Sequence, residues 1–102
     1  MNQAEYHRAI QLLSARGVSV QDQEYSEREF GSWYFVASTQ PPRRLVWDGK
    51  ERQLLVEEET AEQFNGLPVW RELWHECNTK PESIELALNV LCSEWQPPSN
   101  AP

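Results

Sequence analysis

The stretch "RRLVWDGKERQLLVEEE", residues 43–59, decides the fold, because it reads as two strands joined by a tight turn. Asp-Gly between apolar strands is the strongest short-range signal for a β-hairpin. With Asp48 and Gly49 as the two turn residues, Trp47 is expected to face Lys50. Alternation then predicts a core face made of Leu45, Trp47, Leu54 and Val56. The opposite face is predicted to carry Arg44, Val46, Gln53, Leu55 and Glu57.

Before this hairpin, the periodicity predicts one helix and two strands. Residues 3–16 are predicted to form a helix, because their apolar residues recur at helical spacing along one stripe. Gly17 follows at the position where the end of a helix favours glycine. The stripe consists of Tyr6, Ala9, Ile10 and Leu13. Residues 18–25 alternate briefly, whereas residues 30–38 are apolar on both sides of a strand, which suits a central position in a sheet.

After the hairpin, residues 57–66 read as an acidic connection that ends in an Asn-Gly turn. Residues 67–77 read as a helix with an apolar stripe of Val69, Trp70, Leu73, Trp74 and Cys77. Residues 78–95 read as a second helix, in which Thr79 and Glu82 have the spacing of a capping box. Its inner face is predicted to hold Ile84, Ala87, Leu88, Leu91 and Trp95, with Leu86 and Val90 at the margin.

These elements predict a single α+β domain over residues 1–95 and a disordered C-terminal tail at 96–102. The expected architecture is an N-terminal helix, a four-stranded antiparallel meander sheet, and two C-terminal helices packed on the sheet. A chain of 102 residues can bury one core without metal or disulfide staples.

The net charge is −7, from 16 acidic residues against 9 lysines and arginines. Negative charge repels phosphate backbones and anionic lipids, so we expect a basic protein partner, no nucleic acid and no membrane. The sequence has neither a secretory leader nor an apolar run that could span a bilayer, and a cytoplasmic location is expected. Cys77 and Cys92 are then expected to be reduced and packed against apolar neighbours. A monomer and a dimer are both consistent with the sequence.

Catalytic and metal-binding patterns are weak in this sequence. Glu72 and His75 have the E-x-x-H spacing that joins a carboxylate and an imidazole on one helix face, but a di-iron bundle needs two such pairs. The glycines are isolated and the "FGSWY" around Ser32 is not a nucleophile elbow. We therefore expect no cofactor, no metal and no enzyme activity. A small ligand-binding or enzymatic domain with a site around Glu72 and His75 is the alternative.

Acidic residues and aromatic residues are the features that point to binding. A charge run is ordinarily a solvated surface, and tryptophans are ordinarily core residues. The sharper hypothesis is an anionic docking face with aromatic anchors. The nominated acidic residues are Asp48, Glu51, Glu57, Glu58, Glu59 and Glu62. The nominated anchors are Tyr34 and Trp70.

The pattern "FGSWYFVAS…RRLVWDGKERQLLVE…NGLPVWRELW" with a C-terminal helix resembles small single-domain bacterial immunity proteins of toxin–immunity systems. The likeness covers residues 5–95 and is one of size, acidity and element order. It implies a cytoplasmic protein that binds one toxin domain and blocks its active site or its access to substrate. The same features also resemble secretion chaperones, which are typically dimers that shield effector proteins.

Overall fold

The computed structural model describes residues 1–93, in which one antiparallel sheet carries two helices. In chain order the elements are α1 (Gln3–Ala15), β1 (Val20–Ser26), a 3-10 turn (Glu27–Glu29), β2 (Ser32–Ala37), β3 (Arg43–Asp48), β4 (Gln53–Phe64), β5 (Leu67–Cys77) and α2 (Ser83–Leu91). The strands are neighbours in chain order, which confirms the α+β class and the antiparallel meander. The predicted four strands and two C-terminal helices are wrong. Trp95 and the predicted tail lie outside the described residues.

The core lies between the helices and one face of the sheet. It confirms the predicted core face of the hairpin, the stripe on α1 and, within the described residues, the inner face of α2. Its buried members are Tyr6, Ala9, Leu13, Val18, Trp33, Phe35, Ala37, Leu45, Trp47, Leu54, Val56, Ile84, Ala87, Leu88 and Leu91. Leu86, expected at the margin of this face, is instead 50% exposed. Both helices therefore occupy the same side of the sheet and leave the other side to solvent.

Residues 67–77 form strand β5 and not the predicted helix. Asn65 and Gly66 both have positive φ, at 54° and 78°, as a two-residue turn of type I′ requires. This turn returns the chain antiparallel to β4. Adjacent apolar residues such as Leu73 and Trp74 suggested a helix. A β-bulge at Leu73 explains them, because an extra residue breaks the strict alternation of a strand.

The predicted acidic connection, residues 57–66, is the second half of strand β4 with the turn that follows it. Cross-strand ion pairs explain why acidic residues continue the strand. Glu57 pairs with Arg44 at 2.7 Å, and Glu58 pairs with Arg43 at 2.9 Å. Opposite charges directly across two strands stabilise the pairing.

The turn between β3 and β4 is longer than predicted. Asp48 faces Gln53, so residues 49–52 form a four-residue loop and Trp47 faces Leu54 instead of Lys50. Two loop amides, those of Lys50 and Glu51, donate to Asp48 Oδ1 at 3.0 and 3.1 Å. These two hydrogen bonds form an Asx-turn, which stabilises the wider loop. The predicted division of the hairpin into two faces is confirmed despite the changed register.

Helix α2 begins at Ser83, and the predicted capping box at Thr79 and Glu82 does not form. Strand β5 extends to Cys77, so the following residues are needed as a connection. The Lys80 amide donates to Ser83 Oγ at 3.0 Å in this connection. None of the helices within residues 1–93 has the length and apolarity needed to cross a membrane.

Candidate docking face

One face of the sheet is not covered by either helix, and we call it the open face. The pairing register places alternate residues of all five strands on it. These residues are Asp22, Glu24, Tyr34, Val36, Arg44, Val46, Leu55, Glu57, Glu59, Trp70, Glu72 and His75. An apolar centre on β2, β3 and β4 is thus bordered by acidic residues on β1, β4 and β5.

The hairpin of β4 and β5 borders a cavity on this face. Leu67, Pro68 and Trp70 from the hairpin line a cavity of about 340 Å³ together with Asp22, Tyr34, Val36 and Arg44 from the first three strands. We call this cavity the apolar notch. Val36 is only 6% exposed although no helix lies on its side of the sheet, whereas Leu67 is 68% exposed. The notch therefore has a buried floor and an open apolar wall.

A second cavity lies at the other end of β2. It has a volume of about 300 Å³ and is lined by Glu24, Ser26, Glu29, Ser32, Trp33, Tyr34, Val46, Trp47 and Asp48. We call it the acidic notch, because three of its residues carry carboxylates. Tyr34 lines both cavities and separates them. The two notches are consequently neighbours on the same face.

Polar contacts hold the aromatic residues of the open face in place. The Tyr34 hydroxyl donates to Asp22 Oδ2 at 3.1 Å. Burial, together with this hydrogen bond and the nearby carboxylates of Asp22 and Glu24, raises the pKa of Tyr34, so the phenol stays protonated and remains a donor. The Arg44 guanidinium lies over the Trp70 ring, 4.2 Å from its centroid.

The charge of Arg44 is balanced within the protein. Its Nε donates to Glu57 Oε1 at 2.7 Å, and the two side chains are 28% and 19% exposed. A paired and stacked guanidinium does not add a free positive charge to the face. The open face therefore stays acidic around its aromatic centre.

Glu58, although nominated for partner binding, points to the opposite side and is engaged by two arginines. Its carboxylate pairs with Arg43 at 2.9 Å and with Arg71 at 2.7 Å. Burial would raise the pKa of Glu58, but the hydrogen bonds and charges of these arginines outweigh it and hold the pKa below its ordinary value. Arg43 Nη1 also donates to the carbonyls of Val90 and Leu91 at the end of α2. This cluster joins the sheet to the helix.

The other nominated residues are only partly brought together. Tyr34 and Trp70 line the same notch, and Asp48 lines the acidic notch. Glu57 and Glu59 lie along β4 on the open face. Glu62 is exposed near the β4–β5 turn, while Glu51 lines a separate cavity of about 560 Å³ beside Met1, Glu5 and Lys80.

Sequence reasoning did not nominate three residues that the structure places on the notches, namely Glu24, Glu29 and Leu67. Glu24 and Glu29 belong to an acidic cluster that the sequence shows at Asp22, Glu24, Glu27 and Glu29, but strand register is needed to place Glu24 beside Tyr34. Leu67 could not be assigned while residues 67–77 were interpreted as a helix. Its position depends on the type I′ turn at Asn65 and Gly66.

The alternative site, Glu72 and His75, is on the open face and not on a helix. The bulge at Leu73 explains how residues three apart share one face of a strand. The His75 Nδ1 lies 3.0 Å from Glu72 Oε2, and the side chains are 54% and 48% exposed. Neither residue lines either notch.

The cysteines are both free thiols, as expected. Cys92 is half-buried beside the core, and burial raises the pKa of its thiol. Cys77 is exposed at the end of β5, so the expected apolar packing is wrong for this residue. Among residues 1–93, no group of histidine, cysteine and acidic side chains is placed to hold a metal ion.

Comparison with known proteins gives no match to this chain from protein-family models, from curated proteins or from solved structures.

Proposed function

We propose that this protein is a non-enzymatic protein-binding module, and that it is an immunity protein that neutralises a cognate basic toxin domain in the cytoplasm by binding it. The observation that carries the proposal is the open face. Both helices pack on one side of the sheet, and the other side presents Tyr34 and Trp70 within an acidic border.

The charges on the open face favour a cationic partner. The residues named for this face include five carboxylates and one arginine, and that arginine is paired with Glu57. Such a face speeds association with a basic protein at low salt, and added salt screens the attraction over a Debye length of about 10 Å at 0.1 M. Acidic faces repel each other, so a second copy of this chain is a poorer occupant.

The aromatic residues supply the anchoring part of the mechanism. Interface hot spots are enriched in tryptophan, tyrosine and arginine near the centre of a contact. Tyr34, Arg44 and Trp70 are these three residue types in one notch, and each is half-buried and fixed by its neighbours. Side chains that are already held lose little entropy when a partner binds.

A dimeric secretion chaperone is the second candidate, because the β4–β5 hairpin carries exposed apolar side chains at its turn. Phe64 is 71% exposed and Leu67 is 68% exposed, and chaperones of this kind bury such residues against a second copy or an effector. Size-exclusion chromatography with light scattering separates the candidates. A stable dimer favours the chaperone, and a monomer favours the immunity protein.

Affinity capture from the source cell at two salt concentrations tests the proposed function. We expect one basic protein to be retained at low salt and released at high salt. Glu24→Lys should reduce its recovery, whereas Glu82→Lys, which makes the same charge change on the helix side, should not. Recovery of abundant housekeeping proteins alone would contradict the proposal.

A further inference from the structure

We infer that the open face recognises an extended segment that carries an apolar side chain two or four residues away from an arginine or lysine. This inference rests on the proposed function and specifies the chemistry of the partner. The apolar side chain enters the apolar notch, the cationic side chain enters the acidic notch, and Tyr34 lies between them.

The spacing follows from strand β2. Val36 lines the apolar notch, Ser32 lines the acidic notch, and Tyr34 lines both. Residues along a strand rise about 3.3 Å each, so Ser32 and Val36 are about 13 Å apart and each is about 7 Å from Tyr34. An extended partner segment has the same rise per residue. Side chains two or four positions apart lie on the same side of an extended segment, so they can reach both notches at once.

The apolar notch suits one aromatic or aliphatic side chain. Its volume of about 340 Å³ is near the lower end of the range for small-ligand cavities, and its lining mixes aliphatic and aromatic carbon. The wall provided by Leu67 is open to solvent and would be covered by an incoming side chain. The part of the half-buried Trp70 side chain that is still exposed would be desolvated in the same step, which is how aromatic anchors contribute to affinity.

The acidic notch suits an organic cation. Three carboxylates line this cavity: Glu24 and Glu29 are exposed, and Asp48 is half-buried. The described residues contain no cluster placed to bind a metal. An arginine guanidinium can donate hydrogen bonds to two carboxylates and can also stack on the Tyr34 ring. A lysine ammonium can pair with the carboxylates but cannot stack in the same way.

A positive neighbour does not oppose this occupancy. Arg44 lines the apolar notch, but Glu57 and the Trp70 ring satisfy its guanidinium. The same acidic border disfavours nucleic acid and a second acidic copy as occupants. Charge complementarity thus selects a segment of a basic protein.

Selection from a random peptide library displayed on phage tests this inference without the natural partner. Peptides are selected on the wild-type protein, and individual peptides are then synthesised and titrated by calorimetry. We expect an aromatic or aliphatic residue and an arginine or lysine at a fixed separation of two or four residues. Leu67→Ser and Glu24→Lys should each weaken the binding about fivefold or more, as loss of one anchor implies.

Two control variants match these substitutions on the helix side. Leu86→Ser and Glu82→Lys repeat the chemistry at residues that are exposed on or beside α2, and both should bind the peptides like the wild type. Three results would overturn the inference. The selection yields no peptide, the selected peptides have no apolar residue at a fixed distance from their basic residue, or the control variants weaken binding as much as the open-face variants do. The capture experiment tests the proposed function separately. If the peptide selection fails but a basic partner is captured from the cell, the proposed function stands; if no basic partner is captured, the proposed function fails whatever the peptides show.

Discussion

The Arg44 guanidinium lies 4.2 Å from the centroid of the Trp70 ring, and this contact connects strand β3 to the edge strand β5 across β4. It fixes the tryptophan at the margin of the apolar notch. Glu57 on the strand between them neutralises the arginine at 2.7 Å. The aromatic anchor of the open face is therefore held by a strand-spanning cluster of three side chains.

A double-mutant cycle on Arg44→Ala and Trp70→Ala should reveal a coupling of about 0.5–1 kcal/mol in the free energy of unfolding, as expected for a partly exposed cation over an indole ring. Urea denaturation of the four proteins measures it. A second cycle on Arg28→Ala and Trp70→Ala is the control, because Arg28 is exposed in the 3-10 turn, and it should show no coupling. A coupling of zero for Arg44 and Trp70 would show that their contact does not stabilise the fold.

Glu58→Gln should lower the free energy of unfolding by about 1–3 kcal/mol, because it leaves the mostly buried Arg43 without its charged partner. Glu62→Gln, at an exposed glutamate of β4, should change it by less than about 0.5 kcal/mol. Chemical denaturation at neutral pH measures both. Equal stability of the two variants would contradict the structural role given to Glu58.

The same residue predicts a pH dependence. The pKa of Glu58 is lower in the folded protein than in the unfolded chain, so the unfolded chain binds the proton more readily. Its contribution is present in full above the ordinary glutamate pKa of about 4.3 and is lost as the pH falls through the folded-state pKa. The stability difference between wild type and Glu58→Gln should shrink over this acidic range. A difference that is constant down to the lowest pH at which the protein folds would disagree with this assignment.

Gly49→Ala should destabilise the β3–β4 loop by about 1–3 kcal/mol, since an added Cβ would lie 2.0 Å from the carbonyl oxygen of Phe30 and backbone must move. Gly66→Ala is the contrasting variant. Its Cβ would meet nothing within 4 Å, but φ is +78°, so its cost of about 1 kcal/mol comes from backbone strain alone. Thermal or urea unfolding of both proteins compares these costs. A smaller effect at Gly49 than at Gly66 would show that the approach to Phe30 is easily relieved.

Much of the fold could be predicted from local patterns. The helical stripe of α1, the two faces of the β3–β4 hairpin and the inner face of α2 follow from periodicity, because their core residues recur at the spacing of a helix or a strand. Strand β5 could not be recognised this way. Its bulge at Leu73 puts apolar residues at helical spacing in an extended strand.

The turn chemistry shows why dipeptide signals need context. The Asn-Gly pair at residues 65–66 forms the two-residue type I′ turn, whereas the Asp-Gly pair at 48–49 opens a wider loop. Asp48 accepts two amides of its own loop, whereas Gly49 packs against the Phe30 backbone, a contact that depends on tertiary structure. A sequence cannot rank two such turns without these contacts.

The candidate site was predicted in part for a similar reason. Tyr34 and Trp70 stand out by residue type, and the structure places them in one notch. Their acidic neighbours depend on strand register, which brings Glu24 next to Tyr34 and turns Glu58 to the opposite side. A run of acidic residues in a strand alternates between faces, so its members do not form one patch.

The central claim is that a basic partner docks on the open face, and the dissociation constant of the captured complex tests it most directly. Two double variants are compared with the wild type: Glu24→Lys with Leu67→Ser on the open face, and Glu82→Lys with Leu86→Ser on the helix side. The account predicts at least about a tenfold weaker complex for the first and an unchanged complex for the second. Equal affinity of all three proteins, or weakening by the helix-side variant alone, would contradict it.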